Sequence, residues 1–186
     1  NEDPIAEIKF EWDKSGKYSG TNTVKMAGQS FTTTVDIETD ASGLWTKIIY
    51  NSPAVEADIV REGNIARRTI KDKTETIEVK NGALIFESYS PVFMSMAVHA
   101  YNEKNGGKQT FPAFIIPGTA TDISLEFIGT EDRNVAGKDI KFKKFIYGIG
   151  GIDITIWVDD SNRLYLAEVP VQKAAYVRQG YESLMK

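Results

Sequence analysis

The chain has 186 residues, of which 41% are hydrophobic and 26% charged, and its formal net charge is −4. An acidic chain lacks the basic footprint that nucleic-acid binding needs, so we expect no nucleic-acid partner. The chain has no cysteine, which excludes disulfides, a thiolate nucleophile and a zinc site built on sulfur. This length fits one large domain, and we predict a single β-rich domain over residues 1–186.

The hydropathy pattern predicts no transmembrane segment. The longest apolar-rich stretch, Pro91–Ala100, is well short of the roughly 18 apolar residues that a spanning helix needs. The first residues, Asn1–Pro4, are polar and acidic and do not form a signal peptide. They indicate either a mature terminus after cleavage or an arbitrary boundary of the chain.

The first predicted strand alternates between apolar and charged residues. Ile8, Phe10 and Trp12 share one face, and Glu7, Lys9 and Glu11 share the other. A period of two is typical of strands that are half buried against a core. The same alternation recurs along the chain, with inward positions at Phe31, Thr33, Val35 and Ile37, at Ile123, Leu125 and Phe127, and at Ile152, Ile154, Ile156 and Val158.

Short turn signals separate these stretches, among them residues 13–16, 40–43, 148–151 and 159–162. Asn81-Gly82, between residues 74–80 and 83–87, is typical of a type I′ hairpin, because both central residues of that turn need a positive φ. Closely spaced turns favour antiparallel meanders over βαβ units. We therefore predict a mainly β fold, with a curved antiparallel, half-barrel-like sheet of about ten strands.

One window has helical spacing. Ser90 is a good N-cap, Pro91 suits the first helical position, and Gly106-Gly107 ends the pattern. These signals predict one helix near residues 91–104, lying on the concave face of the sheet. Its apolar stripe would be Phe93, Met96, Ala97, Ala100 and Tyr101.

Residues that could carry chemistry do not form a catalytic pattern. His99 is the only histidine, and no G-x-S-x-G motif supplies a serine to it. Gly148–Gly151 is followed by a strand and not by the helix that a phosphate loop needs, so we interpret it as a hairpin turn. We predict no catalytic, cofactor-binding or metal-binding residues and no cofactor.

The charged residues have ordinary structural explanations. The carboxylates at Asp36, Glu38, Asp40, Glu56, Asp58, Glu131, Asp132, Asp159 and Asp160 are expected on solvated strand faces, although two of them near each other in space would suit glycoside hydrolysis. The basic clusters Lys141–Lys144 and Arg67-Arg68 are interpreted as charges that protect strand edges.

The large aromatic residues are expected to fill the core. The ones near the proposed core or groove are Trp45, Tyr50, Phe86, Phe93, Phe114 and Trp157. A minority of them would line an apolar cavity if the helix left part of the concave face open. The sequence does not identify the residues that would bind a ligand.

Several segments of the second half resemble a known class of domain. They are Phe93–Tyr101, Gly106–Pro112, Ile115–Gly118, Ile154–Asp160 and Val177–Glu182. Together they resemble the β-rich amino-terminal domain of secreted bacterial α/β-hydrolase and serine-peptidase-like proteins, and related uncharacterised exported β-rich proteins. The resemblance implies an exported, periplasmic or extracellular location and a hydrolase domain that follows as partner. It carries no catalytic residue onto this chain, because the nucleophile of such proteins lies in the following domain.

Two functions remain open on this basis. The first is a non-catalytic exported accessory or scaffold domain that precedes a hydrolase domain and packs on it. The second is a free-standing binding module for an apolar or lipid-like ligand in the concave groove. An uncovered part of the inner face should be apolar, because the inward positions of the strands are Ile, Val, Phe and Trp.

Overall fold

A computed structural model describes residues 6–26, 28–87, 90–135 and 137–185 of the chain. The polar start at Asn1–Pro4 lies outside the described residues. The described part is mainly β, with antiparallel strand pairing and one short α-helix, which confirms the predicted fold class. One of the two sheets curls as a half-barrel. Among the described residues the strands are more numerous than the predicted ten, and they form two sheets of seven instead of one sheet.

The first sheet follows the order of the chain, because each strand turns back onto its predecessor through a short connection. Its strands are β1 Ala6–Trp12, β2 Tyr18–Met26, β3 Gln29–Thr39, β4 Trp45–Asn51, β5 Glu56–Glu62, β6 Ile65–Ile70 and β7 Lys73–Glu78. The predicted alternation appears in their burial. In β5, for example, Ala57, Ile59 and Arg61 are buried and the residues between them are exposed.

The second sheet also keeps neighbouring strands in chain order. Its strands are β8 Leu84–Phe86, β9 Lys108–Ile115, β10 Thr119–Val135, β11 Lys138–Ile149, β12 Ile152–Val158, β13 Leu164–Val169 and β14 Ala174–Val177. The turn at Asn81-Gly82 therefore does not close a hairpin, because β7 and β8 belong to different sheets. Turn chemistry fixes a local change of direction but does not determine which strand the chain pairs with next.

The predicted helix exists but is shorter than expected. A 3₁₀ turn over Pro91–Phe93 leads into α1, Met94–Ala100. The helix ends at Tyr101, which adopts extended backbone angles with ψ at 128°. Its ring hydroxyl donates a hydrogen bond of 2.7 Å to the carbonyl of Gly107, so the chain leaves the helix before the glycines.

The buried face of the helix also differs in part from the predicted stripe. Phe93, Ala97 and Tyr101 are buried as expected, but Met96 is only half buried and Ala100 is exposed. Met94 and Val98 are buried in their place. The early end of the helix explains this, because a single helical segment of seven residues presents a narrower face than the predicted longer one. Two further 3₁₀ turns occupy Pro170–Gln172 and Glu182–Met185.

Contacts group the chain into two compact units. The first comprises Asn1–Ser90 and Phe114–Ala120, and the second comprises Pro91–Ala113 and Thr121–Lys186. In the first unit, the core contains Tyr18, Ile37, Ile48 and Ile59, which are essentially inaccessible to solvent. The prediction of a single domain over residues 1–186 stays a prediction, because compact clusters of contacts also form within one domain.

The second unit has buried side chains on both faces of its central strands. Phe145 and Ile156 are buried opposite each other in the register of β11 and β12. A separate cluster contains Val135, Phe142, Trp157, Leu166 and Leu184. Trp157 belongs to this cluster and is buried, at 2% exposure.

Three hairpin loops share one hydrogen-bond pattern, which explains several of the acidic residues. In the loop after β3, Asp40 Oδ1 accepts the backbone N–H of Ser42 at 2.8 Å and that of Leu44 at 3.1 Å. Asp13 and Asp159 accept in the same way in the loops after β1 and β12. Each aspartate side chain takes the place of a backbone acceptor within its turn, and the turns themselves lie where the turn signals predicted them.

Candidate ligand-binding site

Two aromatic side chains of β1 are exposed on the side of the sheet that forms the core. Phe10 is 51% exposed and Trp12 42% exposed, whereas Tyr18 of β2 is fully buried beneath them. We call Phe10, Trp12 and Tyr18 the aromatic edge. Tyr18 pairs with Trp12 on one side and with the buried Ile37 on the other. The aromatic edge is therefore the uncovered continuation of the inner face of the first sheet.

The three rings are packed against one another. The ring of Phe10 lies 6.1 Å from that of Tyr18 at an angle of 20°, which is a stacked arrangement. The indole of Trp12 meets Tyr18 edge-on at 5.6 Å and 76°. Both geometries are favourable for aromatic pairs. The two exposed rings are thus held in place by a buried one, while their outer surfaces remain open.

A glycine makes room for the buried ring. Gly20 stands opposite Phe10 in the register of β1 and β2. A Cβ added at Gly20 would lie 2.7 Å from Cε1 of Tyr18, which is closer than real side chains approach. Glycine within a strand commonly marks such a close approach. Gly20 therefore allows the Tyr18 ring to lie across the backbone of β2.

Polar groups surround the hydroxyl of Tyr18. Burial raises the pKa of Tyr18 to about 12, and the nearby charge of Glu87 acts in the same direction, whereas a hydrogen bond with Ser90 acts against it. Glu87 and Ser90 are themselves 2% and 3% exposed. The hydroxyl thus stays neutral over the physiological range and fixes one end of the ring in a polar environment. Buried tyrosines usually find such partners.

The clefts of the described residues offer less to an apolar ligand. One cleft of about 210 Å³ is lined by mainly polar or glycine residues of the second unit, including Lys108, Asp122, Ser124, Gly150 and Asp153. Another, of about 260 Å³, is lined by Ser15, Lys17, Glu38 and Thr39. Both volumes lie below the roughly 300–1,000 Å³ typical of small-molecule sites. The aromatic edge is the better candidate.

The six large aromatic residues expected in the core or groove are all buried: Trp45, Tyr50, Phe86, Phe93, Phe114 and Trp157. Trp45 contacts Phe114 with ring centroids 4.8 Å apart, and both belong to the first unit. Arg61 also lies over the Trp45 ring, with its guanidinium carbon 5.0 Å from the ring centre. These residues fill the core.

His99 is exposed near the end of α1. The nitrogen Nδ2 of Asn162 lies 3.5 Å from Nδ1 of His99. Within the described ranges, no three histidine or acidic side chains are grouped so as to hold a metal ion. Across the same ranges, no helix is both long and apolar enough to cross a membrane.

Gly148–Gly151 forms a hairpin turn, as predicted. Ile149 of β11 pairs with Ile152 of β12, and the two residues between them, Gly150 and Gly151, have φ values of 57° and 81°. Two successive positive φ values are the requirement of a type I′ turn. The glycines thus serve the turn and precede a strand.

Glu131 has the most structured surroundings among the predicted carboxylates. Its Oε2 accepts the indole N–H of Trp157 at 2.9 Å, and its Oε1 accepts Nε–H of Arg133 at 2.9 Å. These hydrogen bonds, with the charges of Arg133 and Lys144, hold the pKa of Glu131 below its usual value. Both cations also lie over the Trp157 ring, at 4.7 and 4.9 Å. The arrangement stabilises the buried indole.

The other carboxylates are distributed as solvated or turn residues. Glu38, Asp40, Glu56, Asp58, Asp132 and Asp160 are exposed, and Asp36 and Asp159 are half buried. Asp36 accepts a hydrogen bond from the hydroxyl of Ser19 at 2.5 Å. The expectation of solvated strand faces is correct for Glu38, Glu56, Asp58 and Asp132, whereas Asp40, Asp159 and Asp160 lie in turns between strands.

The basic clusters do not protect strand edges, contrary to our interpretation. Lys141–Lys144 lies on β11, which is flanked by β10 and β12. Lys143 forms an ion pair of 2.6 Å with Glu103. Arg67 pairs with Glu62 at 2.6 Å, and Arg68 pairs with Glu75 on the neighbouring strand β7. Lys143, Arg67 and Arg68 are therefore each matched by a nearby carboxylate.

Comparison with known proteins identifies the class of fold. No protein-family model matches the chain, and no curated protein matches it. Among solved structures, it is similar to a DUF1089 family protein from Pseudomonas aeruginosa, with a TM-score of 0.57 and 11% sequence identity. The similarity covers 91% of this chain and 91% of that one. At this identity the likeness shows the shared fold alone.

This similarity corrects the resemblance drawn from the sequence. The structural neighbour matches almost end to end and is a DUF1089 family protein, not the amino-terminal domain of a hydrolase. The resemblance to secreted hydrolase and serine-peptidase-like proteins is therefore wrong. Two of the segments behind it, Phe93–Tyr101 and Ile154–Asp160, are a short helical segment and the end of a strand with its turn, which unrelated β-rich proteins share.

The sequence indicated only part of the candidate site. Alternation placed Phe10 and Trp12 on the inner face, but it did not show that β1 forms the edge of its sheet and leaves them uncovered. Gly20 was a usable signal, because a glycine inside a strand often marks a close approach of side chain and backbone.

Proposed function

We propose that the chain is a non-catalytic binding module that takes an apolar or lipid-like ligand on the aromatic edge. The observation that carries the proposal is the exposure of Phe10 and Trp12, at 51% and 42%, on the same face of the first sheet as the buried Tyr18 and Ile37. Adjacent exposed aromatic rings are unusual on a surface without a binding role.

The packing of the aromatic edge supports a binding role, because the two exposed rings are held in fixed positions by their neighbours. Tyr18 supports both exposed rings from beneath, and Gly20 admits Tyr18 to that position. A site held by packed neighbours loses little conformational entropy on binding. An acyl chain, or a flat apolar ring system, would cover the outer surfaces of Phe10 and Trp12 and remove them from water.

The ligand would be apolar where it meets the rings. The charged residues of β1, Glu7, Lys9 and Glu11, occupy the opposite face of the strand and do not compete for that surface. Each half-exposed ring that becomes covered should contribute about 1 kcal/mol, from the usual value for burial of an aromatic side chain. Such a contribution is measurable through single substitutions.

An exported location remains a prediction. It rested on the resemblance that the structural comparison overturned, and the aromatic edge suits a binding protein in any aqueous compartment. The accessory role beside a hydrolase domain loses its basis for the same reason.

Equilibrium binding of a fluorescent fatty acid tests the proposal. Phe10→Ala and Trp12→Ala should each weaken binding by roughly fivefold, since about 1 kcal/mol of ring burial is lost in each. Ile128→Ala serves as the control, because Ile128 is 47% exposed in the second unit and lies outside the aromatic edge. Equal affinity in all three variants, or no binding by the wild-type chain, would refute the proposal.

A further inference from the structure

The outer edge of β1 is open along its length. β1 pairs with β2 from Ala6 to Trp12 and has no second strand neighbour among residues 6–26, 28–87, 90–135 and 137–185. An open strand edge offers unpaired backbone N–H and C=O groups to another strand. Natural edges are commonly interrupted by proline, by a bulge or by a charge on the inward face. β1 shows none of these, since its inward residues are Ile8, Phe10 and Trp12.

The sequence of this edge is complementary to itself. If two copies of β1 pair antiparallel with Phe10 opposite Phe10 of the second copy, Lys9 stands opposite Glu11 and Glu11 opposite Lys9. Ile8 then stands opposite Trp12, so apolar residues meet on one face and opposite charges on the other. Directly opposed side chains of this kind stabilise an antiparallel pair.

Neighbouring registers are less favourable. A pair centred on Lys9 places the two lysines together and Glu7 opposite Glu11. A pair centred on Ile8 matches Lys9 with Glu7, but the position opposite Trp12 then precedes Ala6 and lies outside β1. A register shifted by one residue places Phe10 opposite Lys9 or Glu11. The apolar face of one copy then lies on the same side of the joined sheet as the charged face of the other. Within β1, the register centred on Phe10 pairs apolar residues on one face and Lys9 with Glu11 on the other; it places Glu7 opposite Asp13, which lies just beyond the strand.

We propose that two copies of this chain dimerise by antiparallel pairing of their β1 edges, in the register centred on Phe10. The charged side chains involved are free to rearrange, since those of Lys9 and Glu7 are 75% and 66% exposed and share only a surface ion pair of 3.2 Å. The joined edges place Phe10 and Trp12 of both copies on one face of a continuous sheet. The dimer does not require the proposed ligand, and either proposal can fail without the other.

The test reverses single charges on β1 by substitution. Analytical ultracentrifugation of the full chain, from low to high micromolar concentration, then measures the dimer dissociation constant. Lys9→Glu and Glu11→Lys should each raise the dimer dissociation constant about tenfold or more, because each changes two opposed pairs from attraction to repulsion. Mixing the two variants in equal amounts should restore dimers, since positions 9 and 11 are then both acidic in one partner and both basic in the other. The double variant that combines Lys9→Glu with Glu11→Lys should dimerise like the wild type.

Lys47→Glu, which makes the same charge change on β4 in the interior of the sheet, is the control and should leave the dissociation constant unchanged. Far-ultraviolet circular dichroism confirms that each variant is folded. A wild-type chain that is monomeric at all concentrations overturns the proposal. So does a dimer that is insensitive to both substitutions, or a mixture and a double variant that fail to restore it.

Discussion

The ring of Tyr18 lies across the backbone of Gly20, so close that a Cβ at residue 20 would stand 2.7 Å from Cε1 of the tyrosine. This contact between two residues of one strand sets the position of the aromatic edge. Phe10 and Trp12 both rest on the Tyr18 ring, and each would move if the ring were displaced.

Gly20→Ala should therefore destabilise the chain and disturb the aromatic edge together. We expect a loss of roughly 1–3 kcal/mol in the free energy of unfolding, the usual cost of inserting a methyl group into a packed site. Urea denaturation measures it. Thr21→Ala, on the opposite face of β2, is the control and should change stability by less than about 0.5 kcal/mol. An unchanged midpoint for Gly20→Ala would show that Tyr18 is not held against the strand.

Phe93→Ala tests the packing of the short helical segment. Phe93 is 1% exposed, so its truncation should cost about 3–5 kcal/mol, as for other core aromatic residues. Met96→Ala is the comparison, since Met96 is half buried and should cost clearly less. Both values come from the same denaturation measurement. Equal costs at the two positions would contradict the buried face described for this segment.

Glu131 should contribute to the dependence of stability on pH. Its pKa in the folded chain is depressed, mainly by the hydrogen bond from Trp157 and then by that from Arg133. Its stabilising contribution is therefore present above its unfolded pKa, near 4.5, and is lost as the pH falls through the lower folded value.

Glu131→Gln should thus be less stable than the wild type at pH 7, and the difference in urea midpoint should shrink as the pH falls below about 4.5. Asp132→Asn is the control, because Asp132 is an exposed neighbour on the same strand. A difference between wild type and Glu131→Gln that stays constant from pH 7 to pH 3, or that grows on acidification, would contradict this account.

The sequence predicted local structure better than strand order. Alternation and the aspartate turns fixed the strands and hairpins around Asp13, Asp40 and Asp159, because both signals depend on residues near in sequence. The turn at Asn81-Gly82 was wrongly predicted to close a hairpin, since the pairing of β7 and β8 depends on distant strands. The helix was predicted too long, because the predicted boundary at Gly106-Gly107 did not show that the backbone becomes extended already at Tyr101.

The candidate site was predictable to a similar degree. The period of two placed Phe10 and Trp12 on the inner face, and it also predicted that any uncovered part of that face would be apolar. Their exposure depends on the position of β1 at the edge of its sheet, which follows from the pairing of all seven strands. The alternating signal is the same for an edge strand and a central one, so it could not distinguish them.

The proposal that Phe10 and Trp12 receive an apolar ligand is tested most directly by quenching of tryptophan fluorescence with a brominated fatty acid. Of the three tryptophans, Trp12 is 42% exposed, whereas Trp45 and Trp157 are each 2% exposed. Bromine quenches an indole only at close range, so a ligand on the aromatic edge should quench Trp12. Trp12→Phe keeps an aromatic surface but removes that fluorophore. We predict saturable quenching in the wild-type chain that is lost in Trp12→Phe, while the ligand still binds. Quenching of equal amplitude in both proteins, or none in the wild type, would contradict binding at the aromatic edge.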